Sequence, residues 1–168
     1  MRHLILTLSA VLLLAACNPP APPTPKTDIV RYSSDASFDT VRDNAQHAIL
    51  TKGLVIDNTS YIGKMLERTG KDVGSTKPVF AEGRGDAFSF CSAVLSRKTM
   101  EADPHNIAFC PYAIVVYSPA SEPKKVYVAY RRPVAGNGSD ASRAALKEVE
   151  ALLDGIAREA VGMKAEAK

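Results

Sequence analysis

Cysteines stand at positions 17, 91 and 110, and sulfur is the element through which this sequence could most readily do chemistry. A pair of thiols can be joined as a structural disulfide, can exchange electrons with other thiols, or can hold a metal or haem. Spacing narrows that choice. Eighteen residues, 92–109, separate Cys91 from Cys110, so there is neither a Cys-x-x-Cys for thiol exchange nor a Cys-x-x-Cys-His for haem attachment. The dipeptide Cys110-Pro111 matches a minimal haem-responsive pattern that is too short to carry weight. His3, His47 and His105 are not arranged at zinc-binding spacing, so no metal and no cofactor is expected.

Oxygen and nitrogen chemistry is no better supplied. Gly83-Arg84-Gly85-Asp86 lacks the longer spacing and the Lys-Ser/Thr pair of a phosphate-binding loop and reads as a turn. Glu82 and Asp86 could be imagined as paired carboxylates for hydrolysis, but nothing in the sequence fixes their separation. Asn58-Thr59-Ser60 and Asn137-Gly138-Ser139 fit the glycosylation pattern formally and read as a strand end and a loop. Arg131 and Arg132 follow the last strand and are the candidates for meeting an anionic ligand, a lipid headgroup or a partner. The formal charge is +3, with Lys and Arg interspersed among Asp and Glu, which gives no nucleic-acid footprint. No catalytic residue is assigned.

The third cysteine belongs to a different pattern. Arg2 supplies positive charge, and residues 4–14 contain no charged side chain, a run too short to span a bilayer, which takes about 20 apolar residues. Leu14-Ala15-Ala16-Cys17 follows and resembles the lipobox of bacterial lipoproteins. The resemblance implies cleavage before Cys17, a diacylglycerol thioether on its sulfur and a further acyl chain, such as palmitate, on its amine. Each buried CH₂ contributes about 0.8 kcal/mol, so two or three chains hold a protein at a membrane almost permanently. Asn18, where inner-membrane lipoproteins of enterobacteria-like cells usually carry Asp, implies the periplasmic face of the outer membrane. An ordinary secretory signal cleaved near Ala16 or Ala21 is the alternative. Residues 18–26 hold five prolines, a composition that favours polyproline II and a semi-rigid spacer of roughly 28 Å. The chain thus divides into a signal peptide (1–16), a lipidated cysteine and tether (17–27), an α+β domain (28–133) and a C-terminal helix on the same domain (134–168).

The elements that must position Cys91, Cys110 and the arginines follow from periodicity. Residues 28–32 read as a first strand. Ser37 can cap a helix whose Val41, Ala45, Ala48 and Ile49 fall on one face, with Gly53 at its end. A second strand covers 54–59, and Tyr61, Ile62, Met65 and Leu66 lie at helical spacing up to Gly70. Residues 70–86 hold four glycines and a proline, so most of that stretch should be loop around at most one short strand. Strands are expected at 87–91, 112–117 and 125–130, a short helix at 93–100, and a hairpin loop at 118–124. The clearest helix begins at Ser139 or Asp140 and carries Leu146, Val149, Leu152, Leu153, Ile156, Ala160 and Val161 along one stripe. This order indicates an α+β fold, an antiparallel sheet with helices packed on one face.

Two stretches carry a second resemblance: Asn106-Ile107-Ala108-Phe109-Cys110-Pro111-Tyr112-Ala113-Ile114-Val115-Val116-Tyr117, and Val126-Tyr127-Val128-Ala129-Tyr130-Arg131-Arg132-Pro133. Over about residues 28–133 the chain is similar to the family catalogued as domain of unknown function 302. The resemblance implies β-α-β(4)-α, a TATA-box-binding-protein-like arrangement, and no reaction. The fold does not imply DNA binding, because function belongs to sites rather than folds. Cys91 and Cys110 depart from the family's simpler members.

If Cys17 is acylated, two thiols remain in an oxidising compartment, at the end of one strand and the start of the next. Antiparallel neighbours would place them at bridging distance, and closing about 20 residues would stabilise the fold by roughly 3 kcal/mol. The leading expectation is a non-enzymatic, lipid-anchored envelope module. It would bind a small apolar or anionic ligand between sheet and helices, or dock another envelope protein, with a structural Cys91–Cys110 disulfide. The alternative is a thiol-disulfide or peroxide-linked redox protein using the same two sulfurs.

Overall fold

The structure is a computed structural model in which residues 28–134, 136 and 138–163 are described. The signal, the lipobox with Cys17, the tether and Asn137 lie outside these residues. Strand β1 (Ile29–Ser34) leads into helix α1 (Phe38–Thr51), followed by β2 (Val55–Ser60), α2 (Ile62–Thr69), β3 (Phe80–Cys91) and α3 (Ala93–Ala102). A 3-10 turn (Pro104–Phe109) then leads to β4 (Tyr112–Pro119), β5 (Val126–Arg131) and α4 (Asp140–Ala160). The strands form one antiparallel sheet in the order β1-β5-β4-β3-β2. This is the expected β-α-β(4)-α arrangement, with α2 and α3 added in the connections either side of β3.

Local chemistry explains the helices. The Ser37 hydroxyl accepts from the Thr40 amide at 3.1 Å, and Ser139 accepts from Ser142 at the same distance, each satisfying one otherwise unpaired amide of a first turn. Asp39 and Asp140 add negative charge at the same ends. Val41, Ala45, Ala48 and Ile49 of α1 and Val149, Leu153, Ile156, Ala157 and Ala160 of α4 form two apolar stripes. These stripes bury against Phe88, Phe90, Ile114, Val116, Val128 and Tyr130 on one face of the sheet. Each large side chain so buried contributes about 1.5 to 3 kcal/mol. The interior between sheet and helices is thus lined by buried apolar side chains.

One expectation fails at the glycines. Gly83, Gly85 and Asp86 are not in a loop or a turn but inside β3, which is twelve residues long and starts at Phe80. The glycines serve a bulge. From Phe80 to Gly85 the strand advances five positions while β4, from Pro119 to Tyr117, covers two. Gly83 has φ +67° and Glu82 φ +51°, conformations that a regular strand never uses and that glycine tolerates best. The missing side chain at Gly63 lets α2 lie directly on this bulge: a Cβ there would sit 2.2 Å from the Gly83 carbonyl oxygen.

Candidate functional site

Cys91 is the last residue of β3 and pairs with Val55 of β2 on one side; its predecessor Phe90 pairs with Tyr112 of β4 on the other. Cys110 ends the 3-10 turn, two residues before Tyr112 and joined to Pro111 by a cis peptide bond. The register thus brings the two sulfurs together at the top of the β3–β4 pair. Both are free thiols, Cys91 exposed and Cys110 half-buried, so the expected Cys91–Cys110 disulfide is not formed in this structure. Cys110 Sγ lies 3.4 Å from the Ser96 hydroxyl of α3, which lies 3.4 Å from the Tyr112 hydroxyl. Although the residue is exposed, partial burial of its sulfur pushes the Cys91 thiol up, as do the neighbouring Cys110 thiol, through charge and a hydrogen bond, and the charge of Asp57.

A second feature lies on the sheet face turned away from the core. Ala87, Val115 and Ala129 are directly cross-strand on β3, β4 and β5, so the centre of that face is a floor of small side chains. At one end Tyr117 stacks on Tyr127 with centroids 5.4 Å apart, and Phe80 meets Tyr117 edge-on at 5.9 Å. Phe80 and Tyr117, with Ile29 and Ile62, wall an open, almost wholly apolar recess of about 270 Å³ over Gly85, Val115 and Ala129, with Asp86 also at its lining. The Arg31 guanidinium lies over the Tyr127 ring at 5.9 Å and supplies a cation at the rim. The Arg132 amide donates to the Asp28 carbonyl at 2.7 Å, which fixes the start of the described chain beside Ile29 and hence beside the recess.

The remaining predicted residues have plainer positions. Arg131 is exposed, opposite Ile29 in the register. Arg132 is half-buried and ion-paired with Glu150 at 3.2 Å, so its charge is matched within the fold. Glu82 and Asp86 do not form a carboxylate pair: Glu82 binds Arg84 at 2.6 Å, and buried Asp86 binds Arg42 at 2.7 Å. His47 and His105 are exposed, and among the described residues no group of His, Cys, Asp and Glu is placed to hold a metal.

A polar cluster at the β1–β5–α4 junction was not anticipated from the residues alone. The hydroxyls of Tyr32 and Tyr130 both donate to Asp154 Oδ1, the latter at 3.1 Å, while Arg158 Nε donates to Oδ2 at 2.6 Å and stacks over the Tyr32 ring at 4.8 Å. Burial and the adjacent carboxylate push Tyr32 up to about 12 and Tyr130 higher still. Burial alone would raise Asp154, but the hydrogen bonds from Tyr32, Arg158 and Tyr130 outweigh it and hold the carboxyl below the usual range. Tyr32 is one of several polar residues in a weakly alternating strand, and the i, i+4 spacing of Asp154 and Arg158 is the signal that could have pointed to the cluster.

Comparison with known proteins agrees with this architecture. The crystal structure of an uncharacterized conserved DUF302 protein from Bacillus stearothermophilus superposes with a TM-score of 0.66 at 10% identity, covering 80% of this chain and 99% of that one. At that identity the likeness concerns the fold. No curated protein is found to match the chain. The sequence profile of the domain of unknown function DUF302 matches residues 30–160, which extends the resemblance beyond residue 133 to take in α4. The chain therefore belongs to the DUF302 family.

Proposed function

We propose that this protein is a lipid-anchored lipoprotein at the periplasmic face of the outer membrane, and that its domain is a non-enzymatic module holding an apolar ligand on the exposed face of the sheet. The recess over Gly85, Val115 and Ala129 carries the reading. An apolar hollow on a rigid sheet, walled by aromatic rings, is what an apolar ligand needs, and burying such a ligand there removes both surfaces from water. The recess lies on the opposite face of the sheet from the position first expected, between sheet and helices, where the described side chains form the buried core. Arg31 at the rim would suit a ligand with an anionic head. Among the described residues no helix is long and apolar enough to cross a membrane, so attachment through Cys17 would account for membrane association.

Two measurements test the reading. The full chain should bind a fluorophore-labelled long-chain fatty acid saturably, and Ala129→Leu together with Val115→Lys should weaken binding by about tenfold or more, since the first fills the floor and the second charges it. Binding that never saturates, or that survives both changes, would remove the recess from the argument. In cells, Cys17→Ser should abolish labelling by a palmitate analogue and move the protein from the membrane to the soluble fraction; persistence in the membrane would sink the anchor.

The adjacent sulfurs favour a second reading, a thiol-disulfide or peroxide-linked enzyme. Fast exchange requires a thiolate at working pH, whereas the surroundings of Cys91 push its thiol the other way. Turnover of a peroxide or a dithiol substrate by the full chain, lost in Cys91→Ser, would restore that reading.

A further inference from the structure

Residues 92–109 leave the sheet at the end of β3 and return to it at the start of β4. Helix α3 packs on α4 and on the 3-10 turn rather than across the sheet. Among the groups that hold the excursion are Leu95 against the core, Asn106 Nδ2 donating to Thr99 O and Ser142 Oγ at 2.8 Å each, and Lys98 with Glu148 at the surface. Its two ends are Cys91 and Cys110. The Phe90–Tyr112 pairing places these sulfurs side by side at its neck, Cys91 facing solvent and Cys110 behind it beside Ser96.

We propose that Cys91 and Cys110 are a modification site at which thiol–disulfide exchange installs a bridge that closes the neck of this excursion, with Cys91 as the sulfur that reacts first. The co-reactant is a small-molecule or protein disulfide. The Cys91 thiol loses its proton and its sulfur attacks one sulfur of the oxidant, breaking that S–S bond and releasing one thiolate. Cys110, deprotonated in turn, attacks the Cys91 sulfur of the mixed disulfide, forming the Cys91–Cys110 bond and releasing the second thiolate. Two protons and two electrons leave the protein, and the oxidant's disulfide becomes two thiols. The order follows from access, because an incoming disulfide reaches exposed Cys91 before half-buried Cys110. A raised thiol pKa suits a bridge that is made once and kept rather than a site that turns over. The inference does not depend on the apolar recess or on the anchor.

The test uses the full chain carrying Cys17→Ser, which leaves these two thiols, reduced and then exposed to glutathione disulfide. Intact-mass and peptide analysis should show the loss of two hydrogens with residues 91 and 110 linked and no glutathionyl group retained. Adding Cys110→Ser should trap one glutathionyl group on Cys91, whereas adding Cys91→Ser should leave Cys110 reacting at least about tenfold more slowly. Should either variant not fold, alkylation rates of the two thiols in the parent chain decide the order, and Cys91 must react first. The bridged form should also resist proteolysis within 92–109 by about tenfold relative to the reduced form. A stable glutathione adduct without the bridge, faster reaction at Cys110, or equal proteolysis of both forms would each overturn the proposal.

Discussion

Arg42 Nε of α1 donates to Asp86 Oδ2 of β3 at 2.7 Å, and the same guanidinium lies over the rings of Phe88 and Tyr61 at 5.6 and 6.0 Å. Asp86 is 5% exposed, so this pair ties the first helix to the bulged strand through nearly dry ground. Removing one partner strands the other's charge, which is the costly way to break such a pair.

Asp86→Ala should therefore destabilise the domain by about 3 kcal/mol, the low end for a buried pair because Arg42 keeps some contact with water. Urea unfolding midpoints measure this directly, and a loss under about 1 kcal/mol would show that the pair is solvated after all.

The cluster around Asp154 gives stability a dependence on pH at both extremes. Tyr32 is raised from 10.0 to about 12 in the fold, so the folded state holds its proton more tightly than the unfolded chain. Its contribution is complete below pH 10 and is lost as pH rises through the interval from 10 to about 12. Asp154 is shifted the other way. Its contribution is complete above the unfolded value of 3.8 and is lost as pH falls through its lower folded value. In Tyr32→Phe the alkaline decline should shrink, and the acid decline should also weaken because one hydrogen bond to the carboxylate has gone. Thermal melting across pH resolves both limbs, and parallel curves for the two proteins would contradict the assignment.

Gly63→Ala should be far worse than its chemistry suggests. Alanine is the better helix former by about 1 kcal/mol, yet its Cβ would fall 2.2 Å from the Gly83 oxygen, a backbone atom that cannot swing aside. Forcing α2 off β3 should cost about 1 to 3 kcal/mol net. The same change at Gly155, whose added Cβ meets nothing within 4 Å, should stabilise α4 instead. Paired melting curves of the two variants separate packing from propensity.

Asn106 is 2% exposed and its amide nitrogen spans Thr99 and Ser142, joining the 3-10 turn to α3 and α4. Asn106→Asp replaces two donations by a carboxylate facing a carbonyl oxygen, and should cost more than the roughly 1 to 3 kcal/mol of simply losing the partners in Asn106→Ala. Hydrogen exchange should rise first in residues 92–109, before the sheet opens.

Much of the fold was readable because its signals are local. Ser37 and Ser139 cap their helices as their types suggest, and the α1 and α4 stripes bury the residues that their spacing selects. The expected strands at 112–117 and 125–130 lie within a residue or two of β4 and β5. What was not readable depends on partners distant in sequence. A glycine cluster means a loop unless another strand and a helix lie on it, and only the pairing with β4 and the docking of Gly63 turn Gly83–Gly85 into a bulged strand. The recess is invisible for the same reason: Val115 and Ala129 look like ordinary strand residues until the register sets them side by side. The proximity of Cys91 and Cys110 was legible, because strand ends that are consecutive and antiparallel must meet.

The strand order also sets a sequence of events. β1 has a single neighbour, β5, and Ile29 is matched with Arg131. The first strand of the domain to leave a ribosome must therefore wait, unpaired, until nearly all of the sheet has emerged, and no early hairpin can shelter it. Completion of the sheet is a latch thrown by β5, near the far end of the domain, so a product truncated or stalled before β5 leaves β1 unpaired and an open strand edge on the sheet.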